Sequence, residues 1–99
     1  MKTNKRWAAL SAQPFPYLYE LAPVDRDCFM LLDAYLRGCI EEWFTSGGQL
    51  SARSVVLLDD CVRTLSKRFK LLGEEGQSYF GQYIRLARRI LGSVDVAES

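Results

Sequence analysis

Histidine is missing altogether from the 99 residues. That absence removes the side chain that titrates nearest neutral pH, the commonest general base and the commonest metal ligand. Two arrangements common in helical proteins go with it: the Glu-x-x-His pattern of di-iron bundles and the arginine–histidine pairs of ribonuclease-type helical domains. Long apolar runs are missing too. The longest, Cys28 to Leu32, is far short of the roughly 20 residues that a membrane helix needs. Trp7 to Leu10, behind Lys2, Lys5 and Arg6, is shorter than the roughly 7–15 apolar residues of a secretory signal. A soluble, cytoplasmic protein with no membrane association is expected.

No charge sign dominates, since thirteen basic and twelve acidic residues leave a net charge of +1. The chain as a whole gives no reason to expect a polyanion binder. Cysteine is sparse and odd in number: Cys28, Cys39 and Cys61. Cys28 and Cys39 lie on one expected helix, about 16 Å apart at 1.5 Å per residue, too far to bond to each other. Buried free thiols in a reducing compartment are expected, with a redox role for Cys61 and one other as the sharper alternative. Glycine-rich phosphate motifs are absent, as are alternating strand patterns, repeats and low-complexity segments. The sequence therefore predicts a non-enzyme with no catalytic residue, cofactor site or metal site.

What is present is helical periodicity. The expected architecture is all-α: a small antiparallel bundle of three main helices plus a short N-terminal helix and an aromatic-proline arm. Residues 1–23 form the N-terminal helix (4–12) and arm, 24–92 the three-helix core, and 93–99 a flexible tail without apolar period. Pro14 and Pro16 interrupt any regular element. Phe15, Tyr17, Leu18, Tyr19 and Leu21 suit an arm laid across the bundle, with one helical turn at 17–22.

The helix at about 25–45 is expected to be capped by Asp25, with Val24 stapled onto Phe29. Its apolar positions, from Cys28 to Phe44, span an arc of about 220° at 100° per residue. Such a width predicts a central helix contacted from two sides, with Asp33, Arg37 and Glu41 as a solvated ion ladder. The next helix, about 52–72, is capped by Ser51 or Ser54. It carries a narrower seam of Val55, Leu58, Val62, Leu65, Phe69 and Leu72 opposite Asp60, Arg63, Lys67 and Lys70. Gly73 to Gly76 reads as a turn, and the last helix, about 77–91, buries Phe80, Tyr83, Ile84, Ala87 and Leu91, widened by Tyr79, Leu86 and Ile90.

Candidate chemistry is thin. Glu41-Glu42 and Asp59-Asp60 are adjacent acids, but neighbours on a helix point about 100° apart and do not converge on one atom. The triplet Gly47-Gly48-Gln49 is shared with translation release factors. Here it occupies a tight connection between helices, which the turn preference for Gly-Gly already explains.

Two surfaces remain. Twelve aromatic residues and the wide arc exceed what a three-helix core can hide, unless the arm covers the excess, and large exposed apolar patches mark interfaces. The expected function is non-catalytic protein–protein interaction, as an adaptor, regulator, inhibitor or assembly subunit. A homodimer or another protein partner would meet Ala34, Tyr35, Gly38, Trp43, Phe44, Tyr79 and Leu86. Ala34 and Gly38 form a small-residue notch there, and mid-helix glycine is easier to understand where something approaches closely. The alternative is a nucleic-acid-binding regulator using Lys67, Arg68, Lys70, Arg85, Arg88 and Arg89. Charge is segregated: Glu20 to Asp60 holds eight acids and three bases, Cys61 to Gly92 seven bases and two acids. Acids at helix starts and bases at helix ends account for much of this, and steering of a partner is the other reading.

Overall fold

Pro23 opens the longest helix of the protein, and its position corrects the expected start. In the computed structural model, which describes residues 2–94, α2 spans Pro23–Thr45 with Ala22 as its N-cap. Proline suits the first helical position because its preset φ is helical and its missing N–H has no helical acceptor there. The residue before it is pushed to extended backbone, and Ala22 has φ −63° and ψ 150°. Asp25 consequently lies in the first turn instead of capping it. Val24 is 73% exposed, so no staple onto Phe29 forms.

Three further helices complete the chain: α1 at Lys2–Ala12, α3 at Ala52–Arg68 and α4 at Glu74–Ser93. No strand occurs among the described residues, and the all-α class holds. Ser51 caps α3 by accepting from the Ser54 amide at 3.2 Å. The connection before it turns on Gly47 and Gly48, whose φ values of 76° and 99° lie in the left-handed region that glycine tolerates. After Arg68 the α-helix tightens into a 3-10 turn, Phe69–Leu71, so the helix expected to reach residue 72 ends sooner. The Gln77 side-chain Nε2 donates to the carbonyls of Phe69 and Leu72 there.

The segment expected as a turn is instead the first turn of α4. Glu74 and Glu75 sit where negative charge favours the helix dipole. The Gly73 amide at the helix start donates to the Glu20 carboxylate at 3.2 Å. Gly76 is buried inside the helix because Leu72 and Leu18 come so close that a Cβ there would stand 3.0 Å from Leu72 Cδ2. The arm, residues 13–22, contains no helix, and within the expected turn at 17–22 a single hydrogen-bonded turn forms, the Leu21 amide donating to the Leu18 carbonyl. Its Leu18 and Leu21 are buried. At the other end Ser93 still belongs to α4, and residues 95–99 of the expected tail lie outside the described residues.

α2 and α3 run antiparallel: Arg68, at the end of α3, pairs with Asp25, at the start of α2, at 3.4 Å. α4 packs against all three others and buries Gly76, Tyr79, Phe80, Tyr83, Leu86, Ala87 and Ile90, more than α2 buries. α2, expected to be central, is met by α3 and α4 and, at Arg37 and Phe44, by α1. α1 runs antiparallel to it, with Trp7 against Tyr83 and Gln13 exchanging amide hydrogen bonds with Gln82 at 3.3 Å. A single contiguous cluster of buried side chains joins the arm and all four helices.

Candidate functional site

α2 buries Phe29, Leu32, Leu36, Cys39 and Ile40, and its remaining apolar positions divide between two flanks. On one flank α1 covers the C-terminal half. Trp7 stacks on Phe44 with ring centroids 6.4 Å apart, and the Arg37 guanidinium lies 5.6 Å over the Trp7 ring while donating to the Ser11 carbonyl. Asp33 accepts from the Tyr79 hydroxyl at 2.6 Å. The expected ion ladder of Asp33, Arg37 and Glu41 is therefore no solvated stripe: its first two members are tied to α4 and α1. The Tyr83 hydroxyl is buried near that of Tyr79 without hydrogen-bond geometry.

The other flank is open. Leu31 is 55% and Tyr35 47% exposed, Met30 is exposed beside them, and Ala34 and Gly38 are exposed between. A Cβ placed on Gly38 would meet nothing within 4 Å, so none of the described residues fills the notch. Of the seven positions expected to meet a partner, Ala34, Tyr35 and Gly38 share this outer face. Trp43 and Phe44 are half-buried, Phe44 under Trp7. Tyr79 and Leu86 are only 4% and 6% exposed, because α4 is the hub and its second apolar flank faces α1 and α2. Leu31 and Met30 belong to the open face and escaped sequence reasoning. The signal lies in the spacing, since Met30 stands one turn before Ala34 and Leu31 one turn before Tyr35, whereas the wide apolar arc predicts that Leu31 is buried.

The six expected nucleic-acid-binding cations do not converge. Arg68 turns to Asp25, Lys67 and Lys70 are exposed on α3 and its 3-10 extension, and Arg88 projects from α4. Arg85 and Arg89 line a cleft with Arg6 of α1.

One acid of each adjacent pair has a local partner. Glu42 reaches across the α2–α3 connection, accepting from the Ser51 amide at 2.9 Å and from the Ser54 hydroxyl. These bonds, the one from Ser54 foremost, hold its carboxyl below the usual value. Asp59 pairs with Arg63 at 3.0 Å. Burial pushes the Cys39 thiol up and the Cys61 thiol to about 11, which suppresses the reactive thiolate. Burial also raises the Tyr79 and Tyr83 phenols, with Asp33 adding to both. Each of these shifts runs away from neutrality, opposite to the tuning that acid–base catalysis requires. Among the described residues no group of three or more cysteines and carboxylates is placed to hold a metal ion, and no helix is long and apolar enough to cross a membrane. No protein-family model, curated protein or solved structure matches the chain.

Proposed function

We propose that this protein is a non-catalytic protein–protein interaction module that pairs with a second copy of itself through the outer face of α2. The observation that carries the reading is Gly38. Glycine in a helix interior costs about 1 kcal/mol relative to alanine, and none of the described residues approaches it closely enough to require it. A partner backbone closing on Ala34 and Gly38, with Leu31 and Tyr35 packing beside it, supplies the missing reason. α2 has 23 residues, about 35 Å of helix at 1.5 Å per residue. A two-fold pairing would set this stripe against its own counterpart.

Light scattering on a size-exclusion column tests this. The wild type should elute as a dimer, and Leu31→Glu and Ala34→Glu as folded monomers with unchanged helical circular dichroism. Gly38→Ala separates helix propensity from docking. It should raise the melting temperature under dilute, monomeric conditions, by up to about 1 kcal/mol of stability, while weakening the dimer. A wild type that stays monomeric at high concentration, or a dimer indifferent to all three changes, would overturn the reading.

A further inference from the structure

The arm runs antiparallel along the outside of α4. Gln13 exchanges amide hydrogen bonds with Gln82, Phe15 meets Tyr79 edge-on, and Glu20 accepts from the Gly73 amide. Between them Leu18 Cδ2 lies 3.4 Å from where a Cβ on Gly76 would stand. Leu18 is buried, so Tyr17 and Tyr19 on either side of it are held outward, 71% and 76% exposed. Their rings stack on each other, with centroids 5.2 Å apart and planes 9° apart. Next to Pro16, between the arm and the first turns of α4, a cleft of about 450 Å³ opens. Pro14, Pro16 and Tyr79 give it apolar surface, and Glu74 and Glu75 give it negative charge. No basic residue lines it, and neither glutamate makes an ion pair among the described residues.

The helix dipole accounts for acids at the head of α4, but not for two prolines and two bare tyrosines gathered beside them. Core packing does not ask for the tyrosine pair either, since Leu18 and Leu21 already anchor the arm. A polyproline II segment matches each feature. Its rings pack on aromatic faces, the mode used by aromatic-lined grooves that bind proline-rich segments. Its carbonyls have no internal partner, so they can accept from tyrosine hydroxyls. It is already stiff before binding, which keeps the ordering cost low. An α-helix, about 10–12 Å across with its side chains, keeps its carbonyls bonded internally and would leave those hydroxyls unmatched. The glutamates add the sign of the partner's charge.

We propose that Tyr17, Tyr19 and the adjoining acidic cleft dock a proline-rich segment of a partner protein that carries arginine or lysine, its prolines on the tyrosine pair and its cation at Glu74 and Glu75. The site uses the arm and α4, not the outer face of α2, so either reading can fail alone.

The probe is a synthetic peptide of three Pro-Pro-Arg repeats, about 28 Å long at 3.1 Å per residue, titrated into the full chain by calorimetry. Saturable binding that weakens as salt rises is expected. Tyr17→Ala and Tyr19→Ala should each weaken it about tenfold while leaving helical circular dichroism unchanged, because both side chains are exposed. Glu74→Gln combined with Glu75→Gln should weaken it about threefold at low ionic strength and flatten the salt dependence. A loss of α4 stability alone would not change that slope. Val56→Ala, at an exposed apolar position on α3, should leave affinity within about twofold. Peptides with alanine for proline, or glutamate for arginine, should bind at least about tenfold more weakly. No saturation by the probe, tyrosine variants that bind like wild type, or an alanine peptide that binds as tightly would overturn the proposal. So would a dimer that dissociates in Tyr17→Ala, which would give this surface to a second copy of the chain.

Discussion

Gly38 and Gly76 are both glycines inside helices, and their surroundings give them opposite consequences. A Cβ on Gly76 would stand 3.0 Å and 3.2 Å from Cδ2 and Cβ of Leu72 and 3.4 Å from Leu18 Cδ2. Two of these neighbours could rotate away, but Leu72 Cβ is fixed to its own backbone. Leu72 is itself buried. Alanine at an unhindered helix position would gain about 1 kcal/mol, whereas forcing a methyl into a packed site typically costs about 1–3 kcal/mol. The steric cost wins, because the start of α4 must separate from the arm or from Leu72. Gly76→Ala should therefore destabilise the protein by about 1 kcal/mol net, lowering the melting temperature by about 4–8 °C for a domain of this size. A calorimetric scan in which Gly76→Ala melts above wild type would show that the arm yields without cost. In the sequence Gly38 falls inside an expected helix and Gly76 in an expected turn, and neither pattern reports what surrounds them. Only the placement of Leu18, more than fifty residues upstream of Gly76, tells them apart.

At the scale of the element, the core helices are started by groups from elsewhere in the chain. Glu20 of the arm accepts from the Gly73 amide at the head of α4, and Glu42 near the end of α2 accepts at the head of α3. Both place a carboxylate where free amides and the positive end of the dipole meet. Two of the eight acids between Glu20 and Asp60 are accounted for in this way. Glu42 also yields a pH dependence whose sign follows from its depressed pKa. A carboxyl held lower in the folded than in the unfolded state contributes stability that is fully present above the ordinary glutamate range. That stability is lost as pH falls through the depressed value. Unfolding curves of wild type and Glu42→Gln should differ near neutral pH and converge in acid, because glutamine keeps the acceptor and lacks the charge. Parallel curves across the whole range would mean that the carboxylate charge contributes nothing. Ser51 was legible as a cap because its bond to Ser54 closes within one turn, and so were the bodies of α3 and α4, from their spacing of three and four. The starts of α2 and α4 were not. Pro23 outranked Asp25 at one, and at the other the missing partner, Glu20, lies 53 residues from Gly73.

For the whole molecule, the decisive fact is that α4 packs against all three other helices. Periodicity measures how much of a helix is apolar, not what covers it. The arc of α2 predicts contact from two sides, which α3 and α4 on one side and α1 on the other supply. It does not predict that Leu31 and Tyr35 at its edge stay exposed, nor that Tyr79 and Leu86 are core. What closes the second side of α4 is α1, a helix too short to be stable alone. It is anchored by Trp7, which stacks on Phe44, meets Tyr83 edge-on and carries Arg37 above its ring. If those contacts make α1 part of one cooperative unit, local and global probes must report the same transition. Trp7 and Trp43, the protein's only tryptophans, both pack on Phe44, so fluorescence watches the α1–α2 junction while far-ultraviolet circular dichroism watches all the helices. In urea the two signals should fall on one curve with one midpoint. Trp7→Ala should shift the dichroism midpoint by the equivalent of about 3 kcal/mol, the lower end for truncating a buried tryptophan, a large share of a stability of about 5–15 kcal/mol. A fluorescence change that precedes the loss of helix in the wild type would show α1 detaching first, exposing the inner face of α4 while the other three helices hold.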